Sequence, residues 1–474
     1  MLLKDLISNL DTDFANIEIS GITSDSREVK NGYAFICISG VTADGHNFAE
    51  KALEKGAAVV ITERKLGLTN ELVVPDTREV YADMCAAWFK YPANSLKLIG
   101  VTGTNGKTSI TYMLKSILES FGNKVGLIGT IHNMIGDEII ETKNTTPGVF
   151  ELNRLFSLMK EKGCSYVVME VSSHALEQKR VCNLNFETAI FTNLTQDHLD
   201  YHITMDNYFD AKKKLFEMCK TAVVNVDDEY GVRLASQLDC NVVTYSLNDN
   251  STYSAKAVKY FPSSVEYELV SDNILNRIKF NTGGDFSVYN SMCAAITALE
   301  LNFPVDEVTK AIELISGIKG RAESVPTGRD FTIIIDYSHT PHGLKKILKK
   351  FKNSEKNRLI SLFGCGGDRD KTKRPIMGNI AARYADYVIV TSDNPRSEDP
   401  NEIIKDVLVG IKDTSTPVTV IENRIEAIKY AVSIAQKDDI IVLAGKGHET
   451  YQILKDGTIH LDEREVVREA LDAL

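Results

Sequence analysis

The stretch Gly103-Thr104-Asn105-Gly106-Lys107-Thr108 constrains this chain more than any other. An apolar run, Leu98-Ile99-Gly100-Val101-Thr102, precedes it and reads as a buried strand. A helix is predicted from about Thr108, because Ile110, Met113, Leu114, Ile117 and Leu118 recur at helical spacing. A glycine loop between strand and helix lets backbone N–H groups wrap a phosphate, with the positive end of the helix dipole behind them. Lys107 is placed to neutralise phosphate charge, and the Thr108 hydroxyl to ligate Mg²⁺. Val101 stands where the general pattern has its first glycine, so the match is incomplete. The loop implies a nucleotide phosphate but not a reaction class.

Further strand runs are Lys124 to Ile128, Tyr166 to Met169, Ala189 to Thr192 and Ala222 to Asn225, alternating with helical segments. That rhythm predicts a mostly parallel sheet. Residues of about 240 to 282 break it, and the partial alternation from Thr252 to Val270 predicts an antiparallel insertion. Upstream, Ala34 to Ile38 and Ala57 to Ile61 predict a small α/β domain, with Tyr91-Pro92-Ala93-Asn94-Ser95 as a linker. After Gly317-Ile318-Lys319-Gly320 the rhythm restarts at Thr332 to Ile335, Arg358 to Phe363, Tyr387 to Thr391, Val418 to Ile421 and Ile440 to Ala444. The expectation is an α/β chain of three domains: 1–94, a central parallel-sheet phosphate-loop domain at 95–318, and a Rossmann-like domain at 319–474.

A net charge of -11 argues against nucleic-acid and anionic-membrane partners. No run approaches the ~20 apolar residues of a membrane span, and the first residues do not form a signal peptide. The eight cysteines show no metal-ligand spacing, so reduced thiols in a cytoplasmic protein are expected. Cys365, in a glycine-rich loop, is a weak candidate nucleophile with no evident base nearby.

Several motifs fall in order along the chain. They are Thr23-Ser24-Asp25-Ser26-Arg27, Gly103 to Thr108, Asn144 to Pro147, Met169-Glu170-Val171-Ser172-Ser173-His174 and Asn193 to Asp200. Gly320-Arg321, Asp336 to Pro341, Gly364 to Lys371 and Asp393-Asn394-Pro395-Arg396 follow. Together they closely resemble the Mur ligases, and within them the UDP-N-acetylmuramoyl-tripeptide synthetases. The resemblance implies domains for UDP, ATP and the incoming amino acid. It also implies ATP-driven joining of an amino acid to the D-glutamate γ-carboxylate of UDP-N-acetylmuramoyl-L-alanyl-D-glutamate, through an acyl phosphate. A monomer is expected.

Glu170 ends an apolar strand run, where such sheets border their ligand crevice, and is a candidate Mg²⁺ ligand. By resemblance His198 is a second metal ligand, and Lys212 carries a carbamate that binds Mg²⁺. Read alone, Lys212-Lys213-Lys214 is a solvated helix face, and Lys213 stays open as the modified lysine. The resemblance further implies Gly103, Thr104, Asn105, Gly106, Lys107, Thr108, Ser109, Asn290, Arg321 and Asp336 at ATP. For the UDP-linked peptide it implies Ser26, Val41, Thr42, Ala43, Thr145, Thr146, Ser172, Gln178 and Arg180. Two positions depart from the family pattern: Ser287 replaces its usual asparagine, and His342 an acid.

Lysine-adding members usually lack the arginine of Asp393-Asn394-Pro395-Arg396, so meso-diaminopimelate is the expected amino acid. Its far carboxylate needs a fixed cation, and Arg396 presents a planar fork. Arg369, Gly445 and Glu449 are carried over as further contacts. A folylpolyglutamate synthetase shares the phosphate loop but not the Thr23 to Arg27 or Asp393 to Arg396 motifs. A GTPase switch would need an Asn-Lys-x-Asp motif, which is missing. A non-catalytic relative would be expected to lose Lys107, Glu170 or His198, and all are present.

Overall fold

The computed structural model describes residues 1–474 except 8, 9, 11, 12, 41, 42, 143, 249, 262, 263, 316 and 353–357. Val41 and Thr42 therefore lie outside the described residues. The chain divides into two compact units. One comprises Met1–Ala255, Leu269–Leu275 and Tyr289–Ala311; the other comprises Lys256–Glu268, Asn276–Val288 and Ile312–Leu474.

The first unit opens with a parallel sheet of Gly21–Thr23, Tyr33–Ile36, Val59–Thr62 and Glu71–Val73, neighbours in chain order. Alternate side chains serve opposite faces. Ala34, Ile36, Val59 and Ile61 join one core, while Phe35 and Val60 join another with Ala49 and Ala52. The expected linker is ordered: Pro92–Ser95 is a 3-10 turn, entered through Lys90 and Tyr91 at φ of 59° and 51°.

The larger sheet of this unit places six strands side by side in parallel. They run Asn241–Ser246, Cys219–Asn225, Phe186–Phe191, Lys97–Thr102, Tyr166–Glu170 and Val125–Ile128. Lys97–Thr102 comes first in sequence yet sits inside, with later strands added on both sides. The chain direction therefore reverses at its C-terminal end, where such sheets open a ligand crevice. The helix Lys107–Ser120 buries the expected Ile110, Met113, Leu114, Ile117 and Leu118. The antiparallel insertion needs correction at its start: Asn241–Ser246 joins the parallel sheet, and Tyr253 pairs in parallel with Tyr245.

In the second unit Glu323–Val325 runs antiparallel to Thr332–Asp336. The parallel strands Ile440–Ala444, Leu359–Phe363, Tyr387–Val390 and Val418–Val420 follow in that spatial order. Ile334, Leu359, Phe363 and Val442 face the helices Pro341–Lys352 and Lys373–Tyr384, whereas Ile333, Ile360, Leu362 and Leu443 face Arg424–Ser433 and Glu463–Asp472. Helices cover both faces, which is why these strands read as continuous apolar runs. Beneath the strand ends an ion pair is fully enclosed: Arg424 and Glu463 are each 0% exposed and 2.7 Å apart. Arg424 also donates to the carbonyls of Ala444 at 2.9 Å and Ser392 at 3.4 Å. No helix among the described residues is long and apolar enough to cross a membrane.

Candidate active site

The phosphate loop is pinned by the strand beside it. Thr104 N donates to Asn193 O at 2.8 Å and Asn105 N to Asn193 Oδ1 at 3.0 Å. Thr192 Oγ1 donates to Asn105 O at 2.6 Å. Gly103 and Gly106 take φ of +141° and +94°. A Cβ on Gly103 would collide with Thr192, and one on Gly106 would stand 2.7 Å from Asn290 Oδ1. The glycines thus supply both the backbone geometry and the closeness of approach. Lys107 Nζ folds onto the carbonyls of Gly103 at 2.8 Å and Thr104 at 3.0 Å, and Ser109 follows on the first helical turn.

Glu170 ends its strand 1% exposed, and its carboxylate faces this loop. Thr108 Oγ1 donates to Oε1 at 2.9 Å. Thr130 donates twice, from N to Oε1 at 2.9 Å and from Oγ1 to Oε2 at 3.0 Å. Thr130, absent from the expected set, also brings in Thr145, hydroxyl to hydroxyl at 3.1 Å. Thr146 Oγ1 donates to Glu170 O at 2.9 Å and accepts Ser172 N at 3.0 Å. Arg180 Nη1 donates to Thr146 O at 2.7 Å, and its Nε and Nη2 both reach Gln178 Oε1. Thr145, Thr146, Ser172, Gln178 and Arg180 thus form one chain of contacts leading from Glu170.

The three lysines separate by burial. Lys212 is 2% exposed, and its Nζ donates to Gly103 O at 3.1 Å above the Tyr208 ring at 4.6 Å. Lys213 and Lys214 reach outward, to Gln237 at 3.0 Å and Glu177 at 2.8 Å. The solvated-face reading therefore fails for Lys212: successive residues on a helix point about 100° apart, and this one turns inward. Burial, followed by the charge of Lys107, holds the Lys212 amine well below the usual lysine range.

His198 takes a left-handed backbone, φ 52°, at the entry of Leu199–His202. Its ring lies 4.9 Å from that of His174 and 6.3 Å from that of Tyr208. Tyr208 stacks on His202 at 4.9 Å, and His202 Nε2 meets Ser173 Oγ at 2.9 Å. Burial, followed by the nearby His174, Lys212 and His198, lowers His202 to about 4, which keeps it neutral. His202 and Tyr208 were missed in sequence because their only signal is mutual packing, and His174 was read only as the end of the Met169 to His174 motif.

Ser26 lies in the turn after Thr23, where its carbonyl accepts Lys55 Nζ at 2.7 Å. Ala43 is described through its carbonyl, which accepts Gly40 N at 2.9 Å. Among the described residues neither side chain is hydrogen-bonded to the phosphate loop.

In the second unit the strand ends carry a separate polar cluster. Asp336 accepts Ala322 N at 2.7 Å and both the N–H, at 2.9 Å, and the hydroxyl of Ser338. Arg321 lies over the Tyr337 ring at 5.0 Å. Asn394 Nδ2 donates to Glu449 Oε2 at 3.0 Å. Lys446, which the motif reading passed over, is 0% exposed and donates to Asn394 Oδ1 at 2.9 Å and Glu449 Oε2 at 2.8 Å. Its sequence signal is a lysine between two glycines directly after an apolar strand. Asp393 Oδ1 lies 3.9 Å from the same ammonium, and Gly445 leaves room for Asp393.

Pro395 precedes Arg396, which has φ 53° and donates from Nη1 to Gly367 O at 2.7 Å. Glu398 is engaged by Arg374 at 2.9 Å and Lys371 at 3.1 Å, so Arg396 is not consumed in that surface pair. Arg369 is exposed, with Nη1 on Asp368 O at 3.0 Å. Cys365 is buried and its thiol is pushed up to about 12, which removes it as a nucleophile.

Family comparisons agree with this layout. Residues 18–88 match the Mur ligase family catalytic domain, 101–298 the Mur ligase middle domain, and 320–447 the Mur ligase glutamate ligase domain. A Caldanaerobacter subterraneus protein named UDP-N-acetylmuramoyl-L-alanyl-D-glutamate--2,6-diaminopimelate ligase is 49% identical over 461 residues, covering 96% of this chain and 95% of its own. A Clostridium acetobutylicum protein of the same name, numbered 1, is 48% identical over 464 residues, covering 97% and 96%. A solved structure so named superposes with a TM-score of 0.74 at 34% identity, covering 100% of this chain and 99% of that one.

Proposed function

The chain belongs to the Mur ligase family, and on that premise we propose that it joins meso-2,6-diaminopimelate to the D-glutamate γ-carboxylate of UDP-N-acetylmuramoyl-L-alanyl-D-glutamate at the expense of ATP. The product is a peptidoglycan precursor. The observation that carries the reading is the meeting, at one sheet edge, of the phosphate loop, the Glu170 carboxylate and the buried Lys212 amine.

The carboxylate oxygen attacks the γ-phosphorus and ADP leaves; the amine then attacks the acyl carbon, phosphate leaves and the amine proton is lost. Charge repulsion between carboxylate and triphosphate is the main obstacle. Lys107 and the loop N–H groups lower it. Thr108 and Glu170 offer hard oxygen donors 2.9 Å apart, which suits Mg²⁺. Among the described residues no group of three His, Cys, Asp or Glu side chains could hold a metal ion. The family resemblance implies that Thr108, Glu170, His198 and a Lys212 carbamate would hold the ion, which would neutralise phosphate charge. We assign the UDP end to residues 1–94, with Ser26 and Val41 to Ala43, ATP to 95–318 and the amino acid to 319–474. Asn290, Arg321 and Asp336 serve the nucleotide. The enzyme is proposed to act as a cytoplasmic monomer.

Phosphate release with purified UDP-muramoyl-dipeptide, ATP, Mg²⁺ and a panel of amino acids tests this. Release should require meso-diaminopimelate, and equal efficiency with L-lysine would overturn the specificity. Arg396→Ala should lower kcat/KM for diaminopimelate by about a hundredfold, because a buried substrate carboxylate would lose its cation. Its KM for ATP should not move.

Lys446→Met should raise KM for diaminopimelate by about tenfold, the scale of one lost charged hydrogen bond, since Asn394 and Glu449 lose the ammonium that orients them. An unchanged KM in that variant would remove Lys446 from the amino-acid site.

A further inference from the structure

Cys219 and Cys240 are 21 positions apart in sequence, yet their Sγ atoms lie 3.8 Å apart. Cys219 opens the strand Cys219–Asn225, and Cys240 immediately precedes Asn241–Ser246. Those strands pair in parallel, Thr221 beside Asn241. Both cysteines are free and half-buried. Among the described residues no other two cysteine sulfurs are in contact.

We propose that Cys219 and Cys240 form a redox-modification site, a dithiol that a small-molecule disulfide oxidises to an intramolecular disulfide. With Thr221 beside Asn241, Cys240 stands one position out of register with Cys219, a diagonal neighbour. A strand spacing of about 4.8 Å and a rise of about 3.3 Å put diagonal Cα atoms about 5.8 Å apart, inside the roughly 4.4–6.8 Å that a disulfide spans, and the sulfurs already face each other at 3.8 Å. The Cys240 thiolate attacks one sulfur of the reagent and expels one reagent thiolate, leaving a mixed disulfide. Cys219 then loses its proton, attacks the Cys240 sulfur and expels the second reagent thiolate. The two protein thiols give up two electrons and two protons, and the reagent is reduced to two thiols. Burial and the adjacent Cys240 sulfur push the Cys219 thiol up, which fits the second, intramolecular step.

The bond would close a loop containing the helix Glu229–Ala235. That helix packs on Met205–Lys213, which carries Lys212: the Tyr230 ring lies 5.7 Å from that of Phe209, and Arg233 sits 4.3 Å over it and pairs with Asp206. Oxidation therefore braces the wall behind Lys212. The sulfurs sit where their strands begin, whereas Asn225, at the far end, bonds Thr192 O beside the phosphate loop. Stability should rise while turnover stays the same.

The full-length protein is incubated with oxidised glutathione or with dithiothreitol, alkylated, digested and mass-mapped, with thermal unfolding and turnover measured in parallel. The expected result is a Cys219–Cys240 cross-linked peptide, a Tm higher by about 5 °C, reversal by dithiothreitol and turnover within about twofold. Cys240→Ser should lose both the cross-link and the shift; Cys219→Ala should do the same, retaining glutathione on Cys240. The proposal is overturned if the oxidised wild type carries only mixed disulfides or unreacted thiols at these positions. It is equally overturned if the Tm shift persists in either variant. The wild-type mapping decides even if neither variant folds.

Discussion

Lys107→Ala should lower turnover by about a thousandfold while leaving the fold intact. The side chain lies on the loop surface with its ammonium on the Gly103 and Thr104 carbonyls, so its loss opens no cavity in the sheet. In the proposed reaction that ammonium would face phosphate oxygens where charge redistributes, and a single preorganised group of this kind contributes roughly 3–4 kcal/mol. Phosphate release and far-UV circular dichroism on the same preparation separate the effects. Near-normal turnover in a folded variant would take the loop out of the mechanism.

Lys212→Ala should be comparably damaging, by about a hundredfold or more, for a different reason. Carbon dioxide reacts only with the neutral amine, and burial, followed by the charge of Lys107, holds Lys212 well below the usual lysine range, which favours that form. Once the amine nitrogen has bonded to carbon dioxide and lost its proton, the group is an anion. The same Lys107 that disfavoured an ammonium then favours the carbamate. A small carboxylate such as formate should restore part of the activity of Lys212→Ala, and wild type in labelled bicarbonate should show a carbamate carbon resonance. Lys213→Ala should stay within about twofold of wild type, since Lys213 points outward to Gln237. A bare amine at Lys212 in a Mg²⁺-bound complex with both substrates would defeat the carbamate.

Periodicity in the sequence was enough to place Lys107–Ser120 with its buried face, and the apolar runs marked the strands of both large sheets. Glu170 was legible because a carboxylate ending an apolar run must lie at a sheet edge. Local pattern carried no further where the answer depends on rotation or distant packing. Nothing in Lys212-Lys213-Lys214 says which lysine turns inward; that is settled by Tyr208 and Gly103, the latter 109 positions away. Thr130 bonds Glu170 across 40 positions, and Lys446 bonds Asn394 across 52. The strand Asn241–Ser246 escaped the parallel-sheet reading because its burial is incomplete: Asn241 is exposed and Val242 and Thr244 are half-buried, so it lacks the continuous apolar run of a fully covered strand.

The enclosed Arg424–Glu463 pair bears on how the protein is made. A ribosome delivers Arg424 well before Glu463, 39 residues later. Until the helix Glu463–Asp472 leaves the exit tunnel, the guanidinium has no counter-charge and cannot enter the core at tolerable cost. The carbonyls of Ser392 and Ala444, which it anchors, therefore stay unlocked until that helix docks. The Asp393 and Gly445 loops beside them should take their final form only once the helix Glu463–Asp472 has emerged and docked, so nascent chains stalled before Glu463 should be the ones that quality-control proteases remove.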